Sequence, residues 1–180
     1  MTDMPPVAER PSPAGALQRT FEAVQRERMR DVPVLHPALA VEALGFRPWR
    51  EHWLGVLVTP WFMNLVLMPR VVAAWQPIGE RESRHHVFPA GVFEFIGARE
   101  PALGDYQACS LFSPMFEFTD QAEARATALA ALDALFDPAS RELAAPRPAQ
   151  PAAATPPAGG TMVSKRDFLF GTAPRGERGP

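Results

Sequence analysis

Between residues 53 and 69 the chain reads WLGVLVTPWFMNLVLMP, a stretch without a charged side chain. It just reaches the roughly 17–25 mostly apolar residues that a membrane-spanning helix requires. A helix here would carry Pro60 near its middle and the Asn64 amide at mid-depth. The β-branched and aromatic residues, interrupted by Thr59-Pro60, instead predict two short strands joined at a turn. On the first strand Leu54, Val56 and Val58 share one face, and Trp53, Gly55 and Leu57 the other. On the second, Phe62, Val66 and Met68 lie opposite Met63, Leu65 and Leu67. A half-solvated hairpin alternates apolar and polar residues, and this one does not. It is either buried on both sides, or covers a core with one face and offers the other to a partner.

Composition enters as a set of exclusions. A chain of 180 residues is one ordinary domain with appendages, long enough to bury a sizeable core. Its net charge of −2 provides no basic face for phosphates, so a nucleic-acid partner is not expected. The single Cys109 excludes an internal disulfide and a multi-cysteine metal site. The first residues, MTDMPPVAERPSP, show no apolar run behind a basic start, so no secretory signal is predicted. The expectation is a soluble, cytoplasmic protein with no stable membrane insertion, no metal and no cofactor.

In chain order, residues 1–15 are polar and proline-rich and predict a flexible N-terminal arm. A helix is predicted over 16–30, with Leu17, Phe21 and Val24 on one stripe and a charged opposite face. It should stop before Val32-Pro33. A short strand over 41–46 follows, and Arg47-Pro48-Trp49 then leads into the central hairpin. Further strands are predicted over 84–88, 92–98 and 106–112, the first two joined by Pro89-Ala90-Gly91. Glu94 shares a face with Val92 and Ile96. The last helix starts at Asp120, with Glu123 three positions on as a capping box, carries Leu129, Leu132, Leu135 and Phe136, and ends at Asp137-Pro138. Residues 16–137 thus read as one α+β domain, an antiparallel sheet packed with N- and C-terminal helices. Residues 138–160 are nearly all Pro and Ala and predict a disordered linker to a tail over 161–180.

Little in the sequence suggests catalysis. His85 and His86 fall on opposite faces of a strand, so they cannot share a metal without ligands from elsewhere. Cys109 lies between Ala108 and Ser110 with no basic neighbour and reads as a buried, inert thiol. There is no Gly-rich phosphate loop, nucleophile elbow or telling carboxylate pair, and no enzymatic activity is predicted.

The aromatic segments point toward binding. Trp49, Trp53, Trp61, Phe62, Met63 and Asn64 cluster in sequence, and LFSPMFEF adds Phe112, Met115 and Phe116. Most such residues belong to a core, but Met and aromatic side chains also suit an adaptable peptide groove. Glu94 and Glu117, each flanked by apolar neighbours, are the natural acceptors for an arginine in it.

The segments GFRPW (45–49), LGVLVTPWFMNL (54–65) and YQACSLFSPMFEF (106–118) resemble the HybE/HupJ family of nickel–iron hydrogenase assembly chaperones. The similarity covers about residues 17–136. It implies a non-enzymatic accessory protein that binds the hydrogenase small-subunit precursor. In at least some members the contact is with its twin-arginine signal peptide, and export is delayed until assembly is complete. The large subunit is a further candidate partner, and the family has no catalytic residues to carry over. Two other readings stay open: a scaffold that shields the small subunit and its iron–sulfur clusters without signal recognition, and a small-molecule binding domain.

Residues 164–170, SKRDFLF, are similar to the twin-arginine pattern Ser/Thr-Arg-Arg-x-Phe-Leu-Lys. Ser164, Arg166, Phe168 and Leu169 match it, while Lys165 replaces the first arginine and Phe170 the lysine. Gly171-Thr172-Ala173-Pro174-Arg175 follows instead of a long apolar run, so this is not expected to be an export signal. It reads as a pseudo-signal able to occupy the protein's own binding groove. From Asp137 onward six Lys/Arg stand against four Asp/Glu, a net of +2 that leaves −4 for residues 1–136.

Overall fold

The computed structural model describes residues 9–30 and 32–142. The predicted linker beyond residue 142 and the 164–170 motif lie outside the described residues. The order of elements is α1 (Ala14–Arg28), β1 (Glu42–Trp49), β2 (His52–Val58), β3 (Met63–Pro69), β4 (Ser83–Phe88), β5 (Gly91–Glu100), β6 (Gly104–Phe112) and α2 (Gln121–Ala134). Short 3-10 turns stand at Val72–Ala74 and Pro138–Glu142. The six strands form one antiparallel sheet in the order β1-β2-β3-β6-β5-β4.

The charge-free hairpin is β2–β3, near the middle of the sheet, and it is buried on both sides. Leu54, Val56, Val58, Met63, Leu65 and Leu67 face one core with α2. Leu57, Val66 and Met68 face a second core with Leu17 and Phe21 of α1. The turn between the strands is closed by Thr59, itself fully buried. Its Oγ1 accepts from the amides of Trp61 (3.2 Å) and Phe62 (2.9 Å).

α1 begins two residues earlier than its periodicity suggests and ends at Arg28; of the predicted stripe Leu17 and Phe21 are buried and Val24 is half-buried. Arg28 reaches across to Glu100 on β5, donating to both carboxylate oxygens at 2.8 Å. α2 starts as predicted: Asp120 Oδ1 accepts from the Glu123 amide at 2.8 Å, and the Glu123 carboxylate accepts from the Thr119 amide at 2.9 Å. A cap of this kind is worth about 1 kcal/mol. The helix buries mainly small residues, Ala124, Thr127, Ala128 and Ala131, ahead of Leu132, so its backbone can lie close to the sheet. Leu129 falls off that stripe and is exposed, and the helix ends at Ala134, so Leu135 and Phe136 pack just beyond it.

Other boundaries differ from the sequence expectation: β5 runs from Gly91 to Glu100, β6 opens at Gly104, and Pro138–Glu142, expected in the linker, is a 3-10 turn. β1 runs through Pro48 to Trp49 instead of stopping at Phe46. It is an edge strand, where a missing backbone donor is tolerated. It also carries an irregularity between Leu44 and Arg47, with Gly45 at φ 63°. The end of the N-terminal arm belongs to the fold: Glu9 bridges Val71, the Arg10 amide donates to Arg70 O at 2.7 Å, and Trp53 Nε1 donates to Arg10 O at 2.9 Å.

Gly55 shows why this register is specific. A Cβ at that position would enter the ring of Phe46 on β1, which lies over the β2 backbone. Gly55→Ala is expected to lower stability in urea denaturation by about 1–3 kcal/mol, the usual cost of overpacking.

Candidate functional site

Each helix covers only part of its sheet face. α1 packs on β1 and β2, and its core reaches β6 through Tyr106, which lies edge-on to Phe21 at 6.5 Å. Burial, with the Glu100 carboxylate nearby, raises the Tyr106 pKa to about 12, so the phenol stays neutral. Farther along the same face, on β5 and β4, no helix among the described residues lies over the strands. There the register sets Val87 opposite Val92, His85 opposite Glu94 and Ser83 opposite Ile96. Val92 is 61% exposed, Val87 60% and Ile96 48%. Val87, Val92 and Ile96 form an exposed aliphatic patch here, with the exposed Glu94 carboxylate set between Val92 and Ile96 and His85 across from it.

The other nominated residues divide by burial. Met63, Phe112 and Met115 are buried in the core on the α2 side of the sheet. Trp61 and Phe62, half-buried at the β2–β3 turn, pack toward α1, with Phe62 edge-on to Phe21 at 5.8 Å. Trp53 is half-buried over the same core. Asn64, on that face of β3, is half-buried, and its Oδ1 has no hydrogen-bond partner among the described residues. Phe116 is 57% exposed beside His36, with ring centroids 6.4 Å apart, and Glu117 is exposed next to it. The structure therefore does not gather the nominated residues into one groove. Glu94 sits on the uncovered strands, and the tryptophans lie elsewhere.

On the opposite face, beyond α2, a cluster the sequence reading missed fills the remaining space. Trp49 stacks on Phe88 at 4.3 Å, and His86 lies edge-on to both Trp49 and Phe95. His52 stands between Trp75 (5.4 Å) and His86 (6.3 Å). His86 Nε2 meets the buried Gln107 Oε1 at 2.7 Å. His52 Nδ1 and Trp75 Nε1 are buried with no partner among the described residues. Burial, then the neighbouring His86, holds His52 below the ordinary 6.5; burial alone is the main cause for His86. The predicted opposition of His85 and His86 holds: one faces solvent across from Glu94, the other this cluster. Cys109 is half-buried against the α2 core. Among the described residues no group of three His, Cys, Asp or Glu side chains is placed to hold a metal ion. No described helix is long and apolar enough to cross a membrane.

The chain matches the family described as NiFe-hydrogenase assembly chaperone HybE over residues 12–171. It is 42% identical over 172 aligned positions to the protein HoxT of Cupriavidus necator, with 86% of each chain covered. It is also 42% identical over 156 positions to the hydrogenase expression/formation protein HupJ of Bradyrhizobium diazoefficiens, covering 87% of this chain and 86% of that one. The solution structure of HybE from Escherichia coli is similar at a TM-score of 0.57 and 23% identity, over 83% of this chain and 92% of the other. At that identity the likeness speaks for the fold.

The His52–His86 pair makes stability pH-dependent. Both pKa values are lower in the folded chain than the 6.5 of an unperturbed histidine, so below 6.5 the unfolded chain binds more protons. Their contribution is intact above pH 6.5 and is lost as pH falls through the folded values. Thermal melts of the full chain should shift to lower temperature as pH drops below about 6.5, and His52→Gln should make that loss shallower. A melting temperature that stays level through this window would contradict the assignment.

Proposed function

The chain belongs to the HybE family of NiFe-hydrogenase assembly chaperones, and from that premise we propose that it binds the small-subunit precursor of such a hydrogenase. The contact is made in part through the precursor's twin-arginine signal peptide, in the cytoplasm, and it delays export until assembly is complete. The relatives carry names of assembly and of expression/formation factors, in keeping with a non-enzymatic role.

One observation carries the finer reading: the uncovered β4–β5 face, where Val87, Val92 and Ile96 surround Glu94. A signal peptide presents a pair of guanidinium groups followed by apolar side chains. A carboxylate accepts guanidinium bidentately, and an aliphatic face accepts the residues that follow. Phe116 and Glu117 repeat the combination of exposed aromatic and carboxylate on the loop after β6 and are a secondary contact in this reading.

Calorimetric titration of the full chain with a synthetic small-subunit signal peptide, and with its twin-lysine variant, tests the proposal. The arginine peptide should bind more tightly, because an ammonium lacks the bidentate fork. Glu94→Gln should weaken its binding about three- to tenfold, or about 0.7–1.4 kcal/mol. Equal binding of the two peptides, insensitive to Glu94→Gln, would remove the signal peptide from the reading. Binding of mature small subunit in that case would leave a scaffold that shields the subunit.

A further inference from the structure

The two edges of the sheet are built differently. β1 is blunted by the Gly45 irregularity and by Pro48, and Arg47 ties it to α2 by donating to Leu132 O at 2.9 Å and to Asp133 at 3.2 Å. β4 contains no proline, and its pairing with β5 is regular from Ser83 to Phe88. Its free side is therefore a template for another extended segment, and the side chains of an added strand would continue the Val87–Val92–Ile96 face.

Residues 164–170 of this chain have a matching pattern. In an extended segment alternate side chains share a face. Arg166, Phe168 and Phe170 then fall on one side, a cation followed by two aromatic groups. The surface offers the complement: the Glu94 carboxylate and the aliphatic side chains of Val87 and Val92. With strands about 4.8 Å apart, an arginine on an added strand lies about 10 Å from β5 at Cβ, within the joint reach of extended Arg and Glu side chains. The described chain ends at Glu142 in the 3-10 turn Pro138–Glu142, which contacts β5. A flexible chain of the length of residues 143–163 has a reach on the order of 25 Å, enough to arrive at β4. The family match runs to residue 171 and so includes this segment.

We propose that residues 164–170 dock on the open edge of β4 as a seventh strand, with Arg166 on Glu94 and Phe168 and Phe170 on Val87 and Val92. The tail thereby occupies the surface assigned above to the hydrogenase precursor and competes with it. The inference shares that surface with the preceding reading, but its test contains no hydrogenase subunit, so either can fail alone. Tethering supplies an effective concentration of about a millimolar. A tail of about 100 µM intrinsic affinity then occupies the edge most of the time and weakens a competing peptide about tenfold.

Amide hydrogen exchange on the full chain reads this directly. In an Arg166→Glu/Phe168→Ala/Phe170→Ala variant the outward amides of β4 should exchange several-fold faster, while those of β1 stay unchanged. Glu94→Arg should have the same effect. Combining Glu94→Arg with Arg166→Glu alone should restore protection, which a fold defect would not do. A synthetic peptide of residues 161–180 added to the triple variant should restore it at millimolar concentration. Unchanged β4 exchange in the variants, or no recovery in the charge-swapped chain, would overturn the proposal.

Discussion

The fold depends on the burial of two neighbouring strands on both faces. β2 and β3 present aliphatic side chains above and below the sheet, so neither face can be left in water near its centre. Each apolar side chain fully buried is worth roughly 1.5–3 kcal/mol, and these two strands supply most of the central ones. One helix before the sheet and one after it meet the requirement. Their opposite placement follows from side-chain parity: α1 buries Leu57 and Val66, and α2 buries the alternate set from Leu54 to Leu67.

The six-stranded sheet is curved enough for Trp49 on one edge strand to stack on Phe88 of the other at 4.3 Å, and a helix with its side chains is only about 10–12 Å across. One helix per face cannot cover such a sheet, and the two faces meet the shortfall differently. Beyond α2 the space is filled by Trp49, Trp75, Phe88, Phe95 and the two imidazoles, and the backbone closes over it where the Ala90 amide donates to Leu135 O at 3.0 Å. Beyond α1 no described element fills it, and Val87, Val92 and Ile96 remain exposed. The candidate surface is thus a geometric remainder of covering a wide sheet with short helices.

Strand periodicity, the capping box at Asp120 and the two-sided hairpin were legible because each is a local pattern written in consecutive residues. The extent of β1 was not, because Pro48 is a strand breaker everywhere except on an edge, and edge position is a property of the whole sheet. Glu94 could be placed among apolar neighbours from sequence, and the alternation that shows Val92 and Ile96 on its face is borne out by the register. What could not be read was which apolar strands would remain uncovered. Val87, Val92 and Ile96 are no different in kind from Val56 or Leu65; only the reach of the helices separates them. The His52–His86 cluster was hidden for a related reason. Its members come from β1, β2, the loop before β4, β4, β5 and β6, and no segment of sequence carries two of its polar atoms within hydrogen-bonding distance.

The size of the uncovered face also limits how it can be used. Three aliphatic side chains, each already about half in contact with the protein, have about 3–4 kcal/mol of transfer free energy left to gain. Bringing two molecules together costs at least about 4 kcal/mol in lost freedom. Apolar contact on this face alone therefore cannot hold a partner. The deficit must be met by hydrogen bonds along the β4 backbone and by charge at Glu94, and an extended, cationic segment is the ligand that supplies both. In the proposed role, such a surface favours one class of peptide yet binds it weakly enough to release it, and release is what an assembly factor must allow once its client is complete.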